Sequence, residues 1–174
     1  DPKEAQKKPN LPRNPRDYTS IAVTTDDSND EIVYASSMGD GVIQYKNGTP
    51  VQSYNEKNAF KETAGGYGSG YCYIDGLAFD KNGNLWMTSS EVNHAVLVLD
   101  KAGAWHRLDI EQLRGVYTIN DILITSTNDK WIYVPRNTPK LVMIPNSESL
   151  AEVSSYEFTT LIDTDGKELT PSNY

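Results

Sequence analysis

Apolar residues recur at every second position along most of the chain, as in Ile21/Val23, Leu77/Phe79, Leu85/Met87, Val96/Val98, Ile122/Ile124, Ile132/Val134 and Leu141/Met143. A period of two puts alternate side chains on opposite faces of an extended backbone, so these runs predict β-strands. Turn residues separate them at Asn47-Gly48, Asn82-Gly83, Ala102-Gly103, Asn128-Asp129 and Asp165-Gly166. Asn-Gly between alternating runs predicts a tight hairpin whose two central residues both take positive φ. Helix signals are scarce: only DIEQLRGV, residues 109–116, spaces Ile110 and Leu113 for a single turn before Gly115.

The strand pattern repeats. IDGLAFDKNGNLWM (74–87) aligns without a gap on INDILITSTNDKWI (119–132), so that Ile74 falls on Ile119, Asp75 on Asn120, Leu77 on Ile122, Gly83 on Asn128 and Trp86 on Trp131. AVLVLD (95–100) then matches KLVMIP (140–145). A looser first copy runs through TSIAVT (19–24), IVYASS (32–37, with Tyr34 at the Trp position) and GVIQYKNG (41–48). Its first turn, DDSNDE, carries about four extra residues. Three copies of four strands at a period of about 45–55 residues predict β-propeller blades.

A lone four-stranded sheet cannot cover either of its faces, whereas stacked blades bury both. That accounts for Leu85, Trp86 and Met87 being apolar in succession. Strand one is expected at 19–24, 75–80 and 120–125, strand two at 31–36, 84–89 and 130–134, strand three at 41–46, 95–100 and 140–144, and strand four at 50–54, 104–108 and 156–161. The predicted fold class is all-β: a partial β-propeller of about three four-stranded antiparallel blades, spanning approximately 18–60, 70–115 and 116–165. Trp86 and Trp131 are expected between blades. Pro2, Pro9, Pro12 and Pro15 rule out helix and regular strand over residues 1–17, which read as an extended Pro/Lys-rich arm. Propellers typically need 4–8 blades to close a ring. The chain is therefore expected to be a piece of a longer propeller, or half of a ring that a second copy completes. Its start, DPKEAQKKPN, reads as the inside of a longer protein or a processed end.

Composition narrows the function classes. Lys+Arg number 16 against Asp+Glu 24, a formal net charge of −8 over 174 residues. An acidic surface repels phosphate backbones, so no nucleic-acid partner is expected. The single cysteine, Cys72, makes neither an internal disulfide nor a zinc cluster and reads as a small buried residue. No apolar run approaches the roughly 18 residues of a membrane span, so no transmembrane segment is predicted.

DKNGN (80–84) and DTDG (163–166) look like calcium loops, yet both lack the full Asp-x-Asx-x-Asx-Gly…Glu spacing, and the first reads better as a hairpin turn. AGGYGSGYCY (64–73) lacks the Lys-Ser/Thr and following helix of a phosphate cradle, so it reads as a loop between blades. Its Tyr67, Tyr71 and Tyr73 present either a sugar-stacking lip or ordinary half-buried packing. His94 and His106 have no Cys or acidic partner at ligand spacing, and no metal site is expected. Asp75, Asn120 and, more loosely, Thr19 hold one position at the start of the innermost strand. They read either as turn caps or as a polar ring at the channel mouth.

FDKNGNLWMTSS resembles the two-component regulator propeller repeat, with Asp80, Gly83, Asn84, Trp86 and Thr88 matching its pattern. The third copy keeps Trp131 and loses the Asp and Gly, and the first has Tyr34 in place of Trp. Over residues 19–174 the order of segments is similar to that of the propeller protein of type IX secretion systems, in ASSMGDGVIQY, GLAFDKNGNLW and KWIYVPRNTPKLVMI. The resemblance implies an extracytoplasmic module, in the periplasm or at the outer-membrane surface of a Gram-negative bacterium. It implies binding of a glycan or an envelope protein, with no catalysis and no cofactor. An alternative is an enzyme similar to gluconolactonase propellers, which share a DGLAxDxxGNLW-like stretch and hold a divalent cation. Asp75 would then be one ligand, but Asn120 and Thr19 leave the ring of hard oxygen donors incomplete.

Overall fold

The computed structural model describes residues 17–60, 70–136, 139–162 and 164–169. The fold is all-β. A first antiparallel meander comprises β1 (Tyr18–Thr25), β2 (Glu31–Gly39), β3 (Gly41–Lys46) and β4 (Thr49–Tyr54). The second comprises β5 (Cys72–Phe79), β6 (Leu85–Ser89), β7 (Val96–Leu99) and β8 (Trp105–Leu108). The third comprises β9 (Ile122–Ile124), β10 (Lys130–Val134), β11 (Lys140–Ile144) and β12 (Tyr156–Phe158), and a short hairpin of β13 (Leu161–Ile162) and β14 (Glu168–Leu169) follows. The 109–116 window forms one 3-10 turn, Glu111–Leu113, with Leu113 buried. Residues 1–16 of the arm lie outside the described residues.

The first two meanders are not separate sheets. β2 runs past the expected end at 36 and β5 begins before 75, so Met38 pairs with Tyr73 and Gly39 with Cys72. The result is one continuous sheet in the order β4-β3-β2-β5-β6-β7-β8, with β1 on β2, beside a separate sheet β12-β11-β10-β9. Gly39 makes the crossing possible: its φ is +122°, and a Cβ there would stand 2.9 Å from the Tyr71 ring.

The first hairpin turn of each meander is built the same way. Gly83 N–H bonds Asp80 C=O at 3.0 Å, Asn29 N–H bonds Asp26 C=O at 2.9 Å, and Asn128 N–H bonds Thr125 C=O at 2.9 Å. Gly83, Asn29 and Asn128 each take positive φ (84°, 62° and 71°), and asparagine tolerates that region because its short amide bonds locally. Asn82 is not among the positive-φ residues, so the expected Asn-Gly turn with both centres left-handed holds at Asn47-Gly48 and not at Asn82-Gly83. The extra residues near DDSNDE lengthen β1 and β2 and leave the turn itself unchanged. Pairing settles the repeat register too: Tyr34 faces Ala22 as Trp86 faces Ala78 and Trp131 faces Leu123. A letter-by-letter match of IVYASS on LWMTSS is therefore one residue out of step, and Tyr34 is the true counterpart of Trp86.

Both faces of the second meander are buried. Leu77, Leu85, Met87, Leu97 and Leu99 pack with Ala22 and Val42 of the first meander, where Tyr34, Tyr54, Phe79 and Trp105 form a chain of ring contacts. Trp86, Val96 and Val98 pack on Ile122, Ile132, Val142 and Ile144 of the third. Trp86 is 2% exposed, its Nε1–H bonds Asp80 Oδ2 at 2.9 Å, and the Lys130 ammonium stands 4.5 Å from its ring centroid. Lys130 is itself buried; burial lowers its pKa, against which the charges of Asp80 and Asp129 act. Trp131, expected between blades, lies instead on the open side of the third meander, half-buried and stacked on Phe158 at 5.4 Å.

These placements separate the two tryptophans. Trp86→Ala is expected to cost about 3–5 kcal/mol in urea unfolding, through a cavity between two sheets. Trp131→Ala should cost only about 1–2 kcal/mol, since it loses a partly exposed ring stack. Asp80→Ala should cost about 1–3 kcal/mol, because it leaves the buried Trp86 indole N–H without its acceptor and takes the side-chain bonds out of the turn. Equal losses at Trp86 and Trp131 would contradict the packing described.

Candidate functional site

The starts of the inner strands carry bulges. Pairing of β1 with β2 steps from Tyr18↔Ser37 to Ile21↔Ala35, and pairing of β5 with β6 steps from Ile74↔Ser89 to Leu77↔Met87. The surplus residues, Thr19-Ser20 and Asp75-Gly76, therefore occupy the same place in two meanders. A bulge leaves backbone groups unpaired and re-aims the side chains it carries. In the third meander Asn120 and Asp121 stand at this place just before β9, with Asn120 N–H bonding Tyr133 C=O at 2.9 Å. Gly76 lets the strands come together: a Cβ there would stand 2.7 Å from the backbone nitrogen of Ile122.

Hydroxyl groups satisfy the bulges and join neighbouring meanders. Thr19 donates to Ile74 C=O at 2.5 Å and lies 2.7 Å from Ser36 Oγ. Thr88 Oγ1 accepts from Gly76 N–H and donates to Asn120 C=O, both at 2.9 Å. Ser90 Oγ accepts from Ile119 N–H and donates to Asp75 Oδ2, both at 2.8 Å. Ser36, Thr88 and Ser90 are fully buried, so these bonds form away from competing water.

The seam brings Thr19, Asp75 and Asn120 together at one end of adjacent inner strands. Thr19's hydroxyl is engaged in the joint, Asn120 lends its backbone to the joint while its side chain stays exposed, and Asp75 is mostly buried. Burial pushes the Asp75 carboxyl up to about 7, partly offset by its bonds to Ser90. Tyr71 and Tyr73 are half-buried beside it with ring centroids 6.1 Å apart. Burial raises the Tyr73 phenol, followed by the charge of Asp75, and then Tyr71, Tyr117 and Glu91. Tyr67 lies outside the described residues. Tyr117, Glu91 and Ser90 were not anticipated; the signals were the glycine within a strand at 76 and the hydroxyl pairs Ser36-Ser37 and Thr88-Ser89, equivalent in register, with Ser90 following the second.

Other candidates resolve differently. The Asp80 carboxylate accepts from the N–H groups of Asn82 and Asn84, from Asn84 Nδ2 and from Trp86 Nε1, so it organises its own turn. Burial pushes that carboxyl up, but these bonds outweigh it and hold it below the ordinary value. Cys72 is buried, which raises its thiol to about 11. His106 does have an acidic partner, Asp100 Oδ2 at 2.7 Å, because the turn of the β7–β8 hairpin brings the two together. Among the described residues no three His, Cys, Asp or Glu side chains converge as metal ligands, and no helix is long and apolar enough to cross a membrane.

The chain folds like part of PorZ. That protein, an essential bacterial surface component of the type-IX secretion system of Porphyromonas gingivalis, matches over 86% of this chain with a TM-score of 0.70 at 19% identity. The extracellular domain of a hybrid two component system from B. thetaiotaomicron matches over 80% of the chain, with a TM-score of 0.51 at 16% identity. The chain spans 20% and 17% of these two proteins. No protein-family model and no curated protein matches the sequence. The two structures come from the two groups whose repeats the sequence resembles, and at this identity the likeness is one of fold.

Asp75 gives the site a pH signature. The unfolded chain ionises this carboxyl near 3.8, whereas the folded chain holds the proton up to about 7. Folded protein thus binds the extra proton between these values, and stability rises as pH falls from about 7 to about 4. Asp26, Asp30, Asp80, Asp100, Asp109 and Asp129 are shifted below 3.8 and act beneath that window. Urea midpoints should be higher at pH 5 than at pH 8, and Asp75→Asn should flatten the difference. An unchanged pH dependence in that variant rules Asp75 out as its source.

Proposed function

We propose that this chain is a stretch of β-propeller, three four-stranded blades in series, acting as a non-catalytic binding module outside the cytoplasm. Its setting would be the envelope of a Gram-negative bacterium, in sensing or as a scaffold in secretion. The observation that carries the reading is the row of inner-strand starts, two of them bulged, that lines up Thr19, Asp75 and Asn120 beside Tyr71 and Tyr73. In a propeller, that end opens on the central channel. Aromatic rings beside a carboxyl and an exposed amide suit a glycan or a polar loop of an envelope protein, since rings stack on apolar faces while polar groups fix orientation. The fold likeness to a surface component and to an extracellular domain supports the location.

Calorimetric titrations with lipopolysaccharide-derived oligosaccharide and with calcium chloride test the reading. Oligosaccharide binding should weaken about tenfold or more in Tyr73→Ala and in Asp75→Ala, a loss of about 1.4 kcal/mol. Binding that ignores both substitutions removes the site from this end. Tight calcium binding at neutral pH that disappears in Asp75→Ala would overturn the non-catalytic reading in favour of a cation-dependent lactonase type.

A further inference from the structure

The joint between meanders is built twice, and only one copy is filled. Between the second and third meanders, Trp86 and Lys130 are 2% and 1% exposed, and Asn128 Oδ1 accepts from Lys81 N–H at 3.0 Å, which ties one hairpin turn to the next. Between the first and second, strand register puts Tyr34 in the place of Trp86 and Leu85 in the place of Lys130. Both are smaller than their counterparts. Gly83 takes the turn position of Asn128 and has no amide to reach across. Among the described residues no hydrogen bond ties turn 26–30 to turn 80–84.

The first meander also overhangs the second. Val23↔Val33 corresponds to Phe79↔Leu85, the last pair before turn 80–84, yet β1 and β2 go on pairing through Thr24↔Ile32 and Thr25↔Glu31. The longer wall, the smaller residues and the missing turn contact leave a cleft of about 600 Å³ between the two meanders. It lies at the hairpin-turn end of the inner strands, opposite the end that carries Asp75. Small-ligand sites have roughly this size, about 300–1,000 Å³, with aromatic walls and a few polar groups.

The lining sets the chemistry. Tyr34, Tyr54 and Phe79 are half-buried and offer ring surface. Burial raises the Tyr34 phenol to about 12 and the Tyr54 phenol above its usual value, so both stay uncharged at neutral pH. The Gln44 side-chain oxygen accepts from the Tyr54 hydroxyl at 2.9 Å, which leaves its Nε2 hydrogens to donate, and Thr24 adds a hydroxyl. The charged groups are already matched. Lys46 Nζ lies 2.7 Å from Asp26 and 2.8 Å from Asp30, Asp100 lies 2.7 Å from His106, and Asp27 and Lys101 stand exposed with opposite signs. An ionic ligand would compete with those pairs. An uncharged ring bearing hydroxyl groups would not: its C–H face suits the aromatic rings, and its hydroxyls suit Gln44 and Thr24.

We propose that the cleft between the first and second meanders binds an uncharged sugar ring, packed against the half-buried rings and hydrogen-bonded by Gln44 and Thr24. The site is separate from the inner-strand end and goes beyond the function proposed there.

Saturation-transfer NMR titrations of the 174-residue chain test it. The probes are glucose, galactose, mannose and N-acetylglucosamine, with glucuronate and 6-amino-6-deoxyglucose as charged counterparts of glucose. At least one neutral sugar should bind in the millimolar range, and the two charged sugars should bind about tenfold more weakly or not at all. Gly83→Asn gives this turn the residue that the third meander has. A Cβ at Gly83 meets nothing nearer than Lys101 at 3.5 Å, and Asn128 takes a similar positive φ, so the variant should fold with unchanged circular dichroism. It should bind the sugar about tenfold more weakly, and so should Thr24→Val. A panel in which no neutral sugar binds overturns the proposal, as does a charged sugar that binds as well as glucose. Gly83→Asn and Thr24→Val chains that both bind like wild type remove the sugar from the cleft. Binding that falls in Tyr73→Ala and not in Gly83→Asn overturns the cleft alone and leaves the function proposed above standing.

Discussion

Burial of Trp86 between two sheets is the contact on which the rest of the architecture depends. A four-stranded meander has two faces and too little chain to fold back over both, so its apolar residues are covered by another meander and by the loops between meanders, among them Val92, Ile110 and Leu113. Trp86 is the largest fully buried side chain of one such junction, which polar contacts at its edge make specific. Asp80 anchors the indole N–H, Lys130 lies across the ring, and Asn128 Oδ1 accepts from Lys81 N–H at 3.0 Å to tie two turns together. Removing an apolar face would expose it; removing one of the charges would strand the other in a medium that solvates it poorly.

At the opposite end of the inner strands the same problem is solved with hydroxyl groups. Bulges at Thr19-Ser20 and Asp75-Gly76 break the ladder; Ser36 and Thr88 bond the bulged residues, while Thr19, Thr88 and Ser90 bridge to the next meander. A consequence is that stability and site geometry share residues. Ser90 both fixes Ile119 and orients Asp75, so the carboxyl is held in a place where ionisation is disfavoured. Such a group, poised near neutrality by burial, is a common mark of functional positions.

Much of this was legible beforehand. The period of two, the repeat and the equivalence of Asp75 with Asn120 follow from side-chain alternation and from each meander needing the same turn and the same buried ring. The register of the first copy was less legible, because lengthened strands and a lengthened turn look alike in one dimension. Asn29 and Asn128 standing in for Gly83 hid the turn's recurrence, since the shared requirement is a backbone angle rather than a residue type. Trp131 looked equivalent to Trp86 and is so in register. It differs in burial because burial belongs to the neighbour, not to the residue.

The sequence by itself determined the all-β class, the strand pattern, the four-strand repeat and the row of polar residues at the inner strand starts, all of which arise from local periodicity and turn chemistry. Only the tertiary structure decided that β2 and β5 pair across meanders, that Asp75 sits on a bulge against Ser90, that His106 meets Asp100, and which apolar faces remain open. These depend on groups far apart in the chain meeting in space, where a backbone crossing at Gly39 or a close approach at Gly76 is set by steric fit that no local pattern records.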